Sequence, residues 1–401
     1  MKLLMVHNYY QQPGGEDRVF EEECRLMEAH GHTVIPYIRH NDEIKKRSRI
    51  AVASDTVWNR GASREIFDLV RRNSVDVMHC ANTFPLISPS IYSAARSAGA
   101  AVVQTLHNYR LICPAAQLVR DGQSCSKCVG KTFAWPAIRH ACYRGSKAAT
   151  AVTALSNAVR RMPSNQNDVD QYIALSEAAR TELIAGGLPK TRIVVKPNFV
   201  DPDPGIRPGK GNYFVFVGRL SPEKGVETLL STWRDLSSGF QLKIVGDGPL
   251  ASLVQASADE RSHIKWLGRR SPDEVFDIVG NARASIVPST WKEPFGRTVI
   301  ESFATGTPVI GSDLGALPEI ITPEHNGLIV KAGDTDALRH AVQKIDAAGD
   351  FAAMRRNSRD TFENLYTAEA NYPQLIDVYE RAVAVRHRNS HAAAELQDSS
   401  L

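Results

Sequence analysis

The strongest constraint on the fold is an alternation of short apolar segments with longer amphipathic ones, which occurs twice along the chain. In the first half, residues 16–30 and 90–98 have apolar residues at helical spacing. The apolar segments around them, each short enough for a buried strand, are 3–6, 33–37, 75–79 and 101–105. Strands that alternate with helices in this way form a parallel sheet with crossover helices. The first half therefore predicts an α/β domain.

The alternation starts again at Asn212, after a proline-rich segment at 196–209. The predicted strands of the second half are 213–217, 242–245, 263–266, 284–287, 308–310 and 326–330. Proline at this density cannot continue a helix or a central strand. We therefore predict two Rossmann-like domains, 1–197 and 211–367, joined by a linker at 198–210. Such domains face one another across a cleft, and doubly wound sheets bind ligands at the carboxyl ends of their strands.

The last part of the chain is predicted to be helical. Residues 335–347, 352–365 and 369–385 have helical spacing of apolar residues. The third of these helices, placed at 368–385, is long enough to cross back to the first domain. From Arg386 the periodicity is lost, which predicts a flexible tail at 386–401.

Composition and charge exclude several classes of protein. The net charge of +4 over 401 residues is too small to indicate nucleic-acid binding. The apolar N-terminal segment is too short for a signal peptide, and no apolar run approaches the ~20 residues that span a bilayer. We therefore expect a cytoplasmic protein that meets a membrane, if at all, only at its surface.

The segment 216–225 is a candidate phosphate-binding loop, because it follows a predicted strand and precedes a predicted helix. Gly218 lets the backbone approach a ligand closely, and Arg219 and Lys224 place two cations near a helix N-terminus, which itself attracts anions. Arginine can fork onto two phosphate oxygens, while lysine acts as a point charge. A solvated surface loop has the same composition, so this segment alone leaves both interpretations open.

The segment 293–301 adds two carboxylates at a second junction of loop and helix. Glu293 lies in the predicted loop and Glu301 about one turn inside the helix, with the amides of 296–299 directed at the cleft. Carboxylates accept hydrogen bonds from hydroxyl groups, which suits a sugar and a ribose. A capping carboxylate and a surface glutamate would give the same spacing.

Several motifs then occur in a fixed order along the second half. They are Val217-Gly218-Arg219, Lys224-Gly225, Val245-Gly246-Asp247-Gly248-Pro249-Leu250, Trp266-Leu267-Gly268, Glu293 to Glu301, and Gly306-Thr307-Pro308-Val309-Ile310. This set resembles the C-terminal half of family 4 retaining glycosyltransferases, whose two facing Rossmann-like domains form the GT-B fold. The resemblance extends to the first half, where Gly14, Gly15 and His107 fall at functional positions of that family.

The resemblance implies a role for each matching residue. The implied catalytic residues are His107 beside the transferred sugar, Arg219 and Lys224 on the donor diphosphate, and Glu293 on the sugar. The implied donor-binding residues are Gly14, Gly15, Gly218, Leu267, Gly268, Phe295, Gly296, Thr298, Val299 and Glu301, with Glu301 on the ribose and Leu267 and Gly268 beside the base. It also implies a metal-independent, front-face transfer of a hexose from a nucleotide sugar with retention of configuration. A sugar-nucleotide hydrolase or epimerase, or an inactive sugar-nucleotide-binding scaffold, would share the same donor site.

The acceptor is expected to bind to the first half. Residues 107–110 and 82–85 follow predicted strands and are expected to line the cleft. Relatives often act on glycans or polyprenyl-linked sugars in polysaccharide biosynthesis.

Basic residues flank Trp58, namely Lys45, Lys46, Arg47, Arg49, Arg60 and Arg64. They favour peripheral contact with the anionic inner face of the cell membrane, although a solvated face has the same pattern.

Four cysteines fall within an insertion at 111–145. Cys113, Cys125, Cys128 and Cys142 have the Cys-x2-Cys knuckle and outer thiols of a tetrahedral zinc site. An iron–sulfur cluster also uses four thiolates, and four reduced thiols are a further alternative. A metal bound by all four would be structural, because no ligand position would remain open.

Overall fold

The structure is a computed structural model that describes residues 1–12, 14–162, 165, 167–347 and 351–398, with side chains to residue 388. Its first domain is built on a parallel sheet flanked by helices. The strands are β1 (Lys2–Tyr9), β2 (Thr33–His40), β3 (Val77–Cys80), β4 (Ala101–Leu106), β5 (Val119–Arg120), β6 (Gln123–Ser124), β7 (Gln171–Ala174) and β8 (Ile193–Val195). The helices are α1 (Gly15–Ala29), α2 (Arg49–Val57), α3 (Arg60–Asn73), α4 (Ser90–Ala98), α5 (Trp135–Arg139), α6 (Lys147–Arg160) and α7 (Glu177–Ala185). The sheet has the order β2-β1-β3-β4-β7-β8, and β5 and β6 form a separate antiparallel pair in the insertion.

The second domain repeats this architecture. Its strands are β9 (Tyr213–Val217), β10 (Gln241–Val245), β11 (Ile264–Gly268), β12 (Ser285–Val287), β13 (Val309–Ser312) and β14 (Gly327–Val330). Its helices are α8 (Val226–Asp235), α9 (Ala251–Glu260), α10 (Pro272–Gly280), α11 (Arg297–Ala304), α12 (Leu317–Ile320), α13 (Thr335–Ala347) and α14 (Phe351–Leu365). The strand order is β11-β10-β9-β12-β13-β14. The expected α/β fold with two Rossmann-like domains is confirmed.

Burial explains why these segments form central strands. Every residue of β4 and of β13 is buried, as parallel strands covered by helices on both faces require. The strand order reverses between β1 and β3 in the first sheet and between β9 and β12 in the second. Open α/β sheets bind ligands at such switch points, outside the carboxyl ends of the strands. From the topology we therefore expect ligands to bind at the loops after β1, β9 and β12.

A final helix, α15 (Ala368–Asp398), returns to the first domain. Its Tyr379 hydroxyl lies 2.8 Å from Nδ1 of His79 in β3, and Tyr379 is fully buried. The helix continues beyond 385, where a flexible tail was predicted. The reason is local, because 386–398 contains no glycine or proline and includes three consecutive alanines, which favour a helix. The rest of the predicted tail, 399–401, lies outside the described residues.

The segment between the domains is packed at its start, whereas residues 201–210 are partly or fully exposed. Phe199 and Val200 are buried, and the Val200 amide donates to the Tyr366 carbonyl at 3.0 Å. Lys196, just before the predicted linker, is 1% exposed, and its Nζ lies 3.0 Å from Oε1 of Glu23 in α1. Within the described part of the chain, no helix is long and apolar enough to cross a membrane.

Candidate functional site

The predicted site residues gather where the carboxyl ends of the two sheets face each other. Gly15, at the start of α1, lies so close to α11 that a Cβ on it would be 3.5 Å from Cδ of Arg297. The Ser176 hydroxyl before α7 donates to the Pro294 carbonyl of the second domain at 2.8 Å. Loops from both domains therefore meet across a narrow cleft at the switch points of the sheets.

The phosphate-binding loop depends on a glycine at its end. Gly225 has φ of 73°, and a Cβ there would approach the Pro288 carbonyl oxygen to 1.8 Å. Only glycine fits this backbone without displacing the end of β12. The constraint holds Lys224 beside the loop after β12, while the neighbouring Arg219 is exposed.

Lys224 and Glu293 form the central ion pair of the site. Nζ of Lys224 lies 2.6 Å from Oε1 of Glu293, and the Ser289 hydroxyl donates to the same oxygen at 2.7 Å. Glu293 is 4% exposed, and Nζ of Lys224 also lies 5.2 Å from the centre of the Trp291 ring. The structure thus brings together a cation suited to phosphate and a carboxylate suited to sugar hydroxyls.

Glu301 is engaged by two arginines, one from each domain. Oε1 of Glu301 accepts from Nε of Arg297 at 2.8 Å and lies 3.4 Å from Nη1 of Arg18 in α1. Arg297 also forks onto Glu22 of α1, with contacts of 2.8 and 2.6 Å. Burial acts to lower the pKa of Arg297, but Glu301 and Glu22 raise it above its usual value. We call these four residues, Arg18, Glu22, Arg297 and Glu301, the interdomain ion network.

The other residues predicted at this junction differ in what they offer to a ligand. Phe295 and Val299 are buried in the core, so only their main chains could contact a ligand. The Val299 amide already donates to the Gly296 carbonyl at 2.9 Å. Thr298, in the first turn of α11, is partly exposed beside them. Gly296, with φ of 94°, is the N-cap of α11 and sets the direction of this helix N-terminus toward the cleft.

Leu267 and Gly268 lie at the end of β11, an edge strand of the second sheet. The Gly246 amide donates to the Gly268 carbonyl at 2.9 Å, which joins this end to the loop after β10. Gly218, at the end of β9, donates to the Val245 carbonyl at 3.1 Å. The three loops after β9, β10 and β11 are thus tied together along one edge of the cleft.

His107 follows β4 and stays neutral over the physiological range. Burial lowers the pKa of His107 to about 3, and the opposing effect of Glu23 does not offset it. Its Nε2 is buried without a hydrogen-bond partner among the described residues. A neutral imidazole with a free nitrogen can accept or donate a single hydrogen bond to a ligand hydroxyl.

A buried polar network that the sequence did not predict lies beneath His107. Nε2 of His7 contacts Oδ1 of Asp17 at 2.7 Å, and the other carboxylate oxygen accepts from the Gly14 amide at 2.9 Å. This bond fixes Gly14 at the start of α1. A second buried pair joins Nε2 of His79 to the Thr105 hydroxyl at 2.7 Å. For His79 the available signal was positional, because it is the polar residue of an otherwise apolar strand, whereas His7 begins a polar stretch with Asn8.

The four cysteines lie together in the insertion but are not arranged as a metal site. The pKa of Cys128 is raised to about 11, mainly by burial and in part by Cys113, Cys142 and Cys125, against a hydrogen bond with the Ala137 backbone that lowers it, so the four thiols are near neighbours. Among the described residues, no group of three or more histidine, cysteine or acidic side chains is placed to hold a metal ion. The structure therefore brings the four thiols near one another but shows no metal site in the part of the chain that it describes.

Two family models match the chain in succession. The model described as Glycosyltransferase Family 4 matches residues 13–204, and the model described as Glycosyl transferases group 1 matches residues 201–359. The boundary between them falls in the segment that joins the two domains. Together the two matches include every predicted catalytic and donor-binding residue.

Individual proteins show the same similarity. An uncharacterized glycosyltransferase of Methanocaldococcus jannaschii is 31% identical over 178 residues, which are 44% of this chain and 49% of the relative. The alpha-maltose-1-phosphate synthase of Mycolicibacterium smegmatis is 27% identical over 59% of this chain and 65% of the relative. The chain thus spans about half to two thirds of the length of these relatives. The crystal structure of Anabaena HepE in complex with UDP is similar in fold, with a TM-score of 0.67 and 16% identity, over 95% of this chain and 100% of HepE.

Proposed function

The chain belongs to the family 4 glycosyltransferases with the GT-B fold, and from this we propose that it transfers a hexose from a nucleotide sugar to a hydroxyl group of a glycan or polyprenyl-linked acceptor. The observation that carries the proposal is the 2.6 Å contact between Lys224 and Glu293 at the switch point of the second sheet. It lies in the cleft that also receives Gly14, Gly15 and His107 from the first domain. In this proposal the second domain holds the donor and the first domain meets the acceptor.

Each charged group then has a task in donor binding. Arg219 and Lys224 bind the diphosphate, where the N-terminus of α11 adds its dipole. Glu293 accepts hydrogen bonds from the sugar, and Glu301 from the ribose. Glu301 is already held by Arg18 and Arg297. A ribose that binds to Glu301 therefore binds to a member of the interdomain ion network. Leu267 and Gly268 border the base. UDP is the ligand in the HepE structure and is therefore the first nucleotide to test.

The proposed reaction is a front-face substitution that retains configuration. The acceptor hydroxyl oxygen forms a bond to the anomeric carbon on the side from which the diphosphate oxygen leaves. The hydroxyl proton passes to that leaving oxygen, so no separate base is required. Arg219 and Lys224 stabilise the charge that develops on the diphosphate, and neutral His107 hydrogen-bonds the transferred sugar. These two cations perform the role that a divalent ion has in other transferases, which makes the mechanism metal-independent.

A screen of nucleotide sugars tests the donor assignment. We expect one sugar nucleotide to raise the melting temperature more than its free nucleotide does, because Glu293 contacts the sugar. Product analysis with and without acceptor then separates transfer from hydrolysis and epimerisation. Turnover that no glycan or lipid extract alters would favour the hydrolase or epimerase, and binding without turnover would favour the inactive scaffold.

We also propose peripheral contact with an anionic membrane. Support comes from α2 and the turn before it, where Ile50 is 83% exposed beside Lys46 and Arg49. An exposed isoleucine among basic residues suits an anionic lipid surface. Sedimentation with phosphatidylglycerol vesicles should exceed that with phosphatidylcholine vesicles, and Ile50→Asp should reduce the difference. Equal sedimentation with both lipids would contradict this contact.

A structural metal at the four cysteines is retained as a further proposal. Its support is the mutual proximity of the thiols around Cys128 together with the soft ligands that they would provide. Cys113, Cys125, Cys128 and Cys142 would hold zinc, or an iron–sulfur cluster, and stabilise the insertion at 111–145. Elemental analysis and the visible absorbance of the purified protein distinguish zinc, iron and no metal.

A further inference from the structure

A cluster of polar and aromatic side chains lies on the first-domain side of the cleft, next to the proposed catalytic residues but apart from them. It is assembled from four separate segments: the loop and first turn after β1, the loop after β3, the loop after β4, and the cysteine-rich insertion. Its members, all partly buried, are Tyr10, Glu16, Phe84, Asn108, Arg110 and Tyr143. We call them the Glu16–Arg110 cluster.

Arg110 is held rigidly within this cluster. Its guanidinium carbon lies 4.2 Å from the centre of the Phe84 ring and 5.4 Å from that of Tyr143, and the two rings meet edge to face. One guanidinium nitrogen, Nη1, donates to the Pro114 carbonyl at 3.2 Å. Stacking on two rings fixes the plane of the guanidinium while leaving further N–H donors for a ligand. The insertion therefore contributes to the cleft through Tyr143.

Glu16 is the acidic member of the cluster. It directly follows Gly15, and its Oε2 accepts from the Tyr10 hydroxyl at 3.3 Å. The side chain of Asn108, adjacent to His107, lies near enough to this carboxyl group to lower its pKa. The pKa of Glu16 is raised to about 8, mainly by burial and in part by Asp17, against the opposing effects of Arg110, Tyr10 and Asn108. Glu16 is thus a carboxyl group held at the cleft, beside the loops that carry both Gly15 and His107.

We infer that the Glu16–Arg110 cluster binds the hydroxyl groups of a carbohydrate acceptor and that Glu16 determines which acceptor the enzyme uses. This inference rests on the proposed transferase function and names the acceptor side of the same cleft. Glu16 and Asn108 are positioned by the segments that also present Gly15 and His107. An acceptor bound to them therefore lies next to the sugar that is transferred.

The chemistry of the cluster favours a sugar over an anionic group. A phosphate site presents hydrogen-bond donors, whereas here the Glu16 carboxyl group, which can also accept, lies near the Arg110 cation. Carboxyl, amide, phenol and guanidinium groups together can donate to and accept from hydroxyls, and aromatic rings present apolar faces to sugar C–H groups. Glu16 is a binding residue in this scheme, since the acceptor proton leaves with the diphosphate.

The test separates acceptor binding from donor binding. Initial rates would be measured with the nucleotide sugar found in the donor screen and a set of p-nitrophenyl hexosides and free hexoses as acceptors. We expect Glu16→Gln to raise the acceptor KM about tenfold, because an amide NH2 group that only donates replaces a carboxyl oxygen that can accept hydrogen bonds. The donor KM should change less than twofold. Tyr10→Phe, which keeps the ring and removes the hydroxyl that donates to Glu16, should give a smaller rise in the same direction.

Glu28→Gln is the matched control, because Glu28 is exposed on the same helix, α1. An unchanged acceptor KM in Glu16→Gln, or a donor KM that rises as much as the acceptor KM, would overturn the inference. The inference would also be overturned if the wild-type enzyme consumed the donor but transferred its sugar to none of these acceptors, so that only hydrolysis was observed. A wild type that binds no nucleotide sugar would instead refute the proposed function itself.

Discussion

At the scale of single residues, Lys224 is the most direct test of the donor site. Replacing it with alanine removes the cation expected on the leaving diphosphate and leaves Glu293 with the Ser289 hydroxyl as partner. We expect kcat/KM to fall about 100- to 1000-fold, as when one preorganised group on a developing charge is lost. Circular dichroism should show an unchanged fold, and Lys210→Ala, at an exposed position, should keep full activity. Full activity in Lys224→Ala would refute the phosphate assignment.

His107 has a consequence for stability at acid pH. Burial lowers the pKa of His107 to about 3 in the folded protein, against a usual 6.5. Between these values the unfolded chain binds the proton and the folded one does not, so stability falls as the pH decreases below about 6.5. Glu23, His7, His79 and Lys196 are the charged or titratable groups that act on it.

We therefore expect His107→Gln to lose less stability than the wild type between pH 7 and pH 5. The difference should be about 1–2 kcal/mol in the free energy of unfolding, after allowance for the partial exposure of the ring. Denaturant titrations at the two pH values measure it. His325→Gln, at an exposed site, should behave as the wild type does, and an equal loss in both variants would contradict the assignment.

At the scale of secondary-structure elements, α15 tests how the C-terminal helix stabilises the first sheet. Tyr379 is fully buried, and its hydroxyl pairs with Nδ1 of His79 at 2.8 Å. Tyr379→Phe should lower the free energy of unfolding by about 1–3 kcal/mol, because it leaves a buried nitrogen without its partner. Tyr372→Phe, which removes a less buried contact with His32, should cost less in the same thermal and denaturant experiments. A larger loss in Tyr372→Phe would show that the buried contact is not the main one.

The accuracy of sequence-based prediction also varied from element to element. Long apolar strands such as β1 and β9 were predicted because parallel strands covered on both faces are continuous apolar runs. The short strands β7 and β8 were missed. They have four and three residues, and β7 begins with the polar Gln171. Length alone does not explain why they were missed, because β3 and β12 also have four and three residues and were predicted.

Within the site, sequence reasoning worked where the signal was local. Gly218 to Gly225 and Glu293 to Glu301 could be recognised because each set lies in one loop–helix junction. The pairing of Lys224 with Glu293 spans 69 residues, and that of Arg297 with Glu22 spans 275. No local pattern specifies such contacts, since the first depends on how the second domain folds and the second on how the two domains pack. The contact of Glu301 with Arg18 also depends on domain packing, whereas Arg297 lies four residues before Glu301 on α11 and is a local partner that the sequence analysis did not name.

At the scale of the whole molecule, the interdomain ion network should govern how far the cleft opens. Glu22 is 2% exposed and holds Arg297 with two hydrogen bonds, so removing its charge leaves the Arg297 cation to share the Glu301 carboxylate with Arg18. We expect Glu22→Gln to increase the radius of gyration of the donor-free protein, as measured by small-angle X-ray scattering. The free energy of unfolding should fall by about 3 kcal/mol.

The neighbouring Glu21→Gln provides the control for this experiment, because Glu21 is exposed on the same helix. A radius of gyration that is the same in both variants and the wild type would show that other contacts hold the domains together. One candidate is Glu319 of the second domain, whose carboxylate accepts from the Glu177 amide at the start of α7 at 2.9 Å. A combined Glu22→Gln and Glu319→Gln variant would then identify which contact dominates.

The return of α15 to the first sheet bears on how the protein is made. The ribosome synthesises residues 1–195, which contain β1 to β8, long before it reaches Tyr379. Until then the side of the sheet that carries Met5 and His79 is covered only in part, because α1 packs on it but Tyr379, which contacts both residues, is missing. The domain that is translated first is therefore completed last, and a nascent chain interrupted before α15 should bind chaperones or proteases in preference to folding.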